Sequence, residues 1–338
     1  MPEKKILTIQ RLGFPWETED PFLMSVHHKD AYPQGNEEQG PKVSLEGRDL
    51  GQDFTLRDGF RMYHGTRVPG FPVHPHKGFE TVTVVLNGFV DHFDSTGSYG
   101  RYGNGDVQWL TTGRGTQHTE MFPLVHQDQS NPLELFQIWL NLPAQGKSAP
   151  PEYKMLWAED IPEMQTVDSN GKTATIRLIA GSFQGKTSLE PTHASWAKDP
   201  NHHVGIFLIH LEPNASFPLP PISKALNRNL YFYRGDTIQI EGTTVESYHR
   251  IKLVGDQEVT ITNGSAKADI LILEGVPIQE PVAQYGPFVM NTRQELRDAF
   301  EEYQRTQFGG WQWGRPDPVN DRSTGRFARY ADGTMEER

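Results

Sequence analysis

HPHKGFETVTVVLNGFV, residues 74–90, reads as strand, turn, strand. Thr81, Val82, Thr83, Val84 and Val85 crowd β-branched side chains together, which suits a pleated surface and disfavours a helix. Asn87-Gly88 accepts the positive φ angles of a tight turn, so two antiparallel strands are expected to meet there as a hairpin. Just upstream, His74 and His76 flank Pro75. Alternate residues of a strand project to one face, so the two imidazoles can converge on one ion inside a barrel. Alone, an HxH triplet is more often a chance pair of histidines than a metal site.

Similar punctuation recurs downstream. Turn signals stand at residues 95–100, 103–106 and 113–115, while 107–110 and 135–142 read as further strands, the spacing of a sandwich or barrel. After residue 170 come TATIRLIAG, HHVGIFLIHLEP, LYFYRGDTIQIEG, QEVTITNG and ADILILEG, each closed by Gly or Pro in turn-forming company. The second half thus repeats the first in pattern. Its residues 231–235 and 236–242 pair up like a hairpin but carry no histidines.

Composition agrees with an all-β chain. The 338 residues hold 32 glycines and 25 prolines, and 11% are aromatic, which fits short strands and tight turns in two domains. A net charge of -11 offers no positive field for nucleic-acid phosphates. The absence of cysteine excludes disulfides, thiolate catalysis and sulfur-ligated zinc, so a metal must use nitrogen and oxygen. The opening MPEKKILTIQ lacks a signal-peptide core, and no window has the apolar length of a membrane span, so a cytoplasmic protein without membrane partners is expected.

GRGTQHTE, residues 113–120, supplies a second pair of the same two-residue spacing, His118 and Glu120. Three imidazoles and one carboxylate suit iron, manganese, cobalt, nickel, copper or zinc, and they leave positions open on an octahedral ion. Glu80 competes with Glu120, because simple strand parity running on from His76 also aims it inward. Gly78 is a place where that parity can shift. The remaining histidines, among them His27, His28, His64, His92, His126, His202 and His203, lack a convergent partner within these motifs and read as surface or packing residues. In residues 106–109, Val107 and Trp109 share a face and read as core, and Gln137 reads as a satisfied buried amide.

Three segments, HPHKGFETVTVVLNG (74–88), GDVQWLTTGRGTQHTE (105–120) and EPVAQYGPFVMNT (280–292), closely resemble the hallmark segments of the pirins. The resemblance runs from about Asp20-Pro21-Phe22 to about Gly310. It implies two tandem cupin domains, jelly-roll β-sandwiches or barrels, followed by a C-terminal helix. The expected partition is 1–165 for an N-terminal cupin with the metal, 166–310 for a degenerate cupin without one, and 311–338 for a tail. It implies a single metal, by preference Fe(II), held by His74, His76, His118 and Glu120. Some pirins resemble quercetin 2,3-dioxygenases, which open a flavonol ring with O2. In that reading Glu120 is both ligand and general base, and Phe79 and Phe122 line the cavity. Other pirins resemble iron-binding, redox-responsive regulators that bind a protein partner, and the same four ligands serve that role too. A sugar-isomerase or seed-storage-like cupin would share the fold without needing EPVAQYGPFVMNT.

Two regions depart from shorter pirins. Residues 31–70 are polar and glycine-rich and are expected to wrap a core rather than form one. Thr292 and Glu295 form a capping box ahead of Leu296, Ala299, Phe300 and Tyr303, the stripe of a helix expected to pack across a barrel. Beyond Gly310 the tail is polar and irregular, and Trp311 and Trp313 favour a surface strap.

Overall fold

The computed structural model describes residues 4–338, so the first three residues of MPEKKILTIQ lie outside the described residues. Strands dominate, and among the described residues the α-helix is confined to Arg293–Thr306. The chain forms two compact units. One joins residues 26–158 to 280–338, and the other joins residues 4–25 to 159–279. This differs from a partition into consecutive stretches because the chain ends pair with distant strands. Ile6–Arg11 runs antiparallel to His249–Leu253. Phe327–Arg329 runs antiparallel to Tyr99–Gly103.

The unit with the two histidine motifs is built on two large sheets. One orders its strands Glu152–Leu156, Val107–Thr111, Phe79–Asn87, Asn131–Asn141 and Phe22–Tyr32. The other runs Met335–Glu337, Phe327–Arg329, Tyr99–Gly103, Phe89–Asp94, Thr116–Met121 and Gly70–His76. The expected hairpin at Asn87-Gly88 is therefore corrected. The turn is there, with Gly88 at φ +84, but its two strands belong to different sheets. Phe79–Asn87 instead pairs with Val107–Thr111 and Asn131–Asn141 on its two edges. The physical reason is burial: Phe79 through Val85 are all buried, so this strand is covered on both faces and sits inside its own sheet. The chain turns a corner of the sandwich there.

The other unit turns the same kind of corner. Asn227–Arg234 lies in a seven-stranded sheet and Thr237–Ile240 in a four-stranded one, so the second expected hairpin is corrected in the same way. Between these sheets Ile176, Leu178, Phe207, Ile209, Phe217, Leu230, Phe232, Ile238, Ile251, Ile270 and Ile272 form one apolar core. Each such side chain, fully buried, stabilises the fold by roughly 1.5–3 kcal/mol against chain entropy.

The additions around the first unit are ordered. Phe60, Met62, Tyr63 and Val68 are buried, so residues 31–70 supply core as well as covering it. Tyr63 donates from its hydroxyl to Asp30 Oδ2 at 2.6 Å. The helix starts at the expected capping box, Thr292 Oγ1 accepting from the Glu295 N–H at 3.2 Å while Glu295 Oε2 accepts from the Thr292 N–H at 2.7 Å. Its Leu296 and Ala299 pack on Phe288 of the short hairpin Ala283–Tyr285 and Phe288–Met290. The tail straps on through Trp313, which donates to the Asp94 carbonyl at 2.8 Å and meets Phe93 and Tyr99 edge-on.

His28 sits in this core against Tyr63 and Phe71, and burial pushes its pKa down to about 3. The unfolded chain, with an ordinary histidine pKa of about 6.5, takes up the proton first as pH falls. Stability from this residue is therefore complete above pH ~6.5 and declines toward pH ~3, by about 1.4 kcal/mol per pH unit once the unfolded imidazole is charged. Urea unfolding at pH 7 and pH 5 is expected to show this loss in wild type. His28→Phe should remove part of it.

Candidate metal centre

Two neighbouring strands bring the histidine motifs together. Gly70–His76 pairs antiparallel with Thr116–Met121, placing His74 opposite His118 and His76 opposite Thr116. His74, His76 and His118 each offer a ring nitrogen, and these atoms all lie within 4.8 Å of one another. His74 Nδ1–H donates to the Pro72 carbonyl at 2.8 Å, and His76 Nδ1–H to the Pro287 carbonyl at 3.4 Å. Both rings are thereby held as the tautomer that leaves Nε2 free to ligate. His118 is fully buried, and among the described residues neither of its ring nitrogens has a hydrogen-bond partner. A buried imidazole with two unserved nitrogens is costly unless something else binds it, which fits a metal among these three rings.

The electrostatics favour the ligating state. Burial, then neighbouring imidazoles, pushes His118 and His76 well down, and burial takes His74 down to about 4. All three are neutral near pH 7, as metal ligands must be.

Glu120 stands beside this triad, its Oε2 3.9 Å from His118 Nε2. It is held by a neighbouring sheet. Gln137 Nε2 donates to Oε2 at 2.7 Å and to Oε1 at 2.9 Å. Thr83 Oγ1 lies 2.9 Å from Glu120 Oε1 and 2.7 Å from Gln137 Oε1, and its one proton serves either. Burial raises the Glu120 pKa, while Thr83, His92 and Gln137 oppose the rise. Gln137 is thus a satisfied amide whose partner is the candidate ligand itself.

Glu80 is turned away. Gly78, at φ +89, shifts the parity of the chain, and a Cβ there would collide with the Val289 carbonyl oxygen. Phe79 lies against His76, with ring centroids 5.1 Å apart, and Thr83 reaches Glu120, so the odd-numbered residues face the centre. Glu80 instead accepts from Trp109 Nε1 at 3.0 Å and Thr111 Oγ1 at 2.7 Å. Trp139 joins Phe79 as the aromatic wall beside His76. Phe122 lies instead in a cluster with Tyr63 and Phe71.

His92, assigned to packing on sequence grounds, adjoins the centre. It is fully buried opposite Glu120, its ring 5.5 Å from that of His118 and stacked on Tyr153, with Nε2 3.1 Å from Asp94 Oδ2. The signal in the sequence was His92 and Asp94 two residues apart after a turn, a weaker pattern than HxH.

A family described as "Pirin" matches residues 20–140, and "Pirin C-terminal cupin domain" matches residues 206–309. A pirin-like protein of Solanum lycopersicum is 36% identical over 254 residues, covering 74% of this chain and 80% of its own. The chain belongs to the pirin family. Pirin of Homo sapiens is 32% identical over 261 residues, covering 76% of this pirin and 82% of its own length. A solved structure, quercetin 2,3-dioxygenase from Acinetobacter baumannii, superposes with a TM-score of 0.70 at 25% identity, covering 90% of this pirin and 98% of that chain. The fold is two cupin domains, and the histidine triad lies within the segment matched as pirin. Among the described residues no helix is long and apolar enough to cross a membrane.

Proposed function

We propose that this pirin is a metal-dependent oxygenase of the quercetin 2,3-dioxygenase type, acting with O2 on a flavonol or related polyphenol. The observation that carries the reading is the convergence of three neutral imidazoles, His76 and His118 buried and His74 half-buried, beside a carboxylate. The likeness to the Acinetobacter baumannii quercetin 2,3-dioxygenase supports the choice of reaction. His74, His76, His118 and Glu120 would hold one divalent ion, Fe(II) first among the iron, manganese, cobalt, nickel, copper and zinc that such donors accept. When bound, the ion supplies Lewis acidity toward a phenolic oxygen and a place for O2 beside it.

The chain's own residues then have defined tasks. Glu120 Oε2, the oxygen facing His118, takes the proton of the flavonol hydroxyl as that O–H bond breaks. Gln137 and Thr83 keep the carboxylate aimed during the transfer. Phe79 and Trp139 offer an aromatic wall to a flat ring and exclude water from the side of His76.

The test is anaerobically iron-loaded protein mixed with quercetin in aerated buffer, following quercetin absorbance and dissolved O2 together. Equimolar loss of both is expected, and Glu120→Gln should slow it by roughly 100-fold or more. Bound iron without turnover would overturn the oxygenase and leave the redox-responsive, partner-binding protein as the better account of the same ligands.

A further inference from the structure

The second unit holds a buried ion pair with no task in the chemistry above. Along Ala268–Gly275 the inward row Ala268, Ile270, Ile272 belongs to the apolar core, and the next inward position is Glu274. Along Asn227–Arg234 the inward row of Phe232 and Leu230 ends in Arg228 in the same way. The two are directly opposite, and on its other side Glu274 faces Gly205, which has no side chain to cover it. A Cβ at position 205 would come within 2.8 Å of Glu274 Cγ. Three core rows therefore end at one point in a guanidinium, a carboxylate and a gap.

A cavity of about 450 Å3 opens there, with Glu274 in its wall alongside the apolar Leu189, Val204, Phe207 and Ile222; Lys198, ion-paired to Glu190, also lines it, as does His203. Arg228 Nε donates to Glu274 Oε2 at 2.6 Å, and Arg228 Nη1 donates to the Pro220 carbonyl at 2.9 Å. Among the described residues Arg228 Nη2 is buried without a hydrogen-bond partner, and the carboxylate accepts one hydrogen bond, at Oε2. Burying such a pair costs several kcal/mol, and apolar residues of similar volume generally serve a fold as well or better. A pair kept for stability alone would be expected to use both of its remaining groups.

We propose that this cavity is a binding site for a small, uncharged alcohol or phenol. Arg228, behind the wall, already neutralises Glu274, so that carboxylate calls for no cationic ligand. Within the cavity wall the second carboxylate oxygen lacks one donor. A single hydroxyl supplies it, and the apolar side chains of the wall take the hydrocarbon or ring that carries it.

The test uses the full-length protein with labelled Leu, Val and Ile methyls, titrated with phenol and, separately, with toluene, which has nearly the same shape and no hydroxyl. Phenol is expected to saturate with NOEs to the methyls of Leu189, Val204 and Ile222, and to bind tighter than toluene by roughly tenfold, the worth of one charge-assisted hydrogen bond. The double variant Arg228→Met, Glu274→Met should fold and lose that preference. Phenol NOEs only to the other unit, or equal affinity for the two probes, would overturn the proposal and leave a structural ion pair. So would an undiminished preference in the double variant. If that variant does not fold, the wild-type comparison decides.

Discussion

Replacing His118 with alanine is expected to strip the protein of its metal. His74 and His76 are each tied through Nδ1 to a backbone carbonyl, so both point an Nε2 at one spot before any ion arrives. His118 closes the triad from the adjacent strand, fully buried and with both ring nitrogens unserved. Removing a supporting group around such a ligand typically costs about 10–100-fold in affinity, so removing the ligand itself should cost more than about 100-fold. Metal analysis after dialysis against a mild chelator should find about one ion per wild-type chain and almost none in His118→Ala. The variant should still fold, because the lost imidazole contributes no hydrogen bond. Full occupancy in His118→Ala would mean the ion sits elsewhere.

The second large effect lies in the strap. Arg101 is buried, donating through Nε to Asp91 Oδ1 at 2.7 Å and through Nη2 to Asp91 Oδ2 at 2.8 Å. Its Nη1 also reaches the carbonyls of Asp321 and Thr324, both at 3.0 Å, and the Asn320 N–H donates to Asp91 Oδ2 at 2.8 Å. One ion pair thus fixes both the sheet and the tail. Arg101→Met leaves Asp91 buried and charged without its partner and is expected to cost about 3–5 kcal/mol. Urea unfolding reads that loss, and limited proteolysis should cut first near residue 320. A loss under about 1 kcal/mol would show that the strap is held by Trp313 and the strand Phe327–Arg329 instead.

The sequence and the structure agree where the residue pattern is periodic. Two-residue spacing put His74 and His76 on one face and His118 and Glu120 on another, and antiparallel pairing of their strands brought the three histidines together. The capping box and its apolar stripe predicted a helix that starts where it does, at Thr292. Turn chemistry was less informative. Asn87-Gly88 fixes the backbone angle of a turn, but whether the next strand folds back or crosses to the other sheet depends on burial of both faces, which a local pattern does not encode. The same limit applied at Gly235.

The surroundings of Glu120 were legible only in part. Gln137 and Thr83 stand on strands far apart in sequence, and it is the register of Thr83 against Gln137 that makes one clamp of them. His92 reads as a packing residue for the same reason, since its place opposite Glu120 follows from pairing between strands and not from its neighbours in the chain. The polar look of residues 31–70 concealed Phe60, Met62 and Tyr63, which are buried because the segment folds back onto Asp30 and the sheet. Its link to the tail, Gln39 Nε2 donating to the Asn320 carbonyl at 2.8 Å, joins residues no local signal connects.

Anomalous diffraction at the iron edge, from crystals of the anaerobically iron-loaded protein, tests the metal centre most directly. A single strong peak is expected within bonding distance of Nε2 of His74, His76 and His118 and of one Glu120 oxygen. No peak among the three imidazoles, or an ion there with Glu120 still clamped away by Gln137, would contradict it.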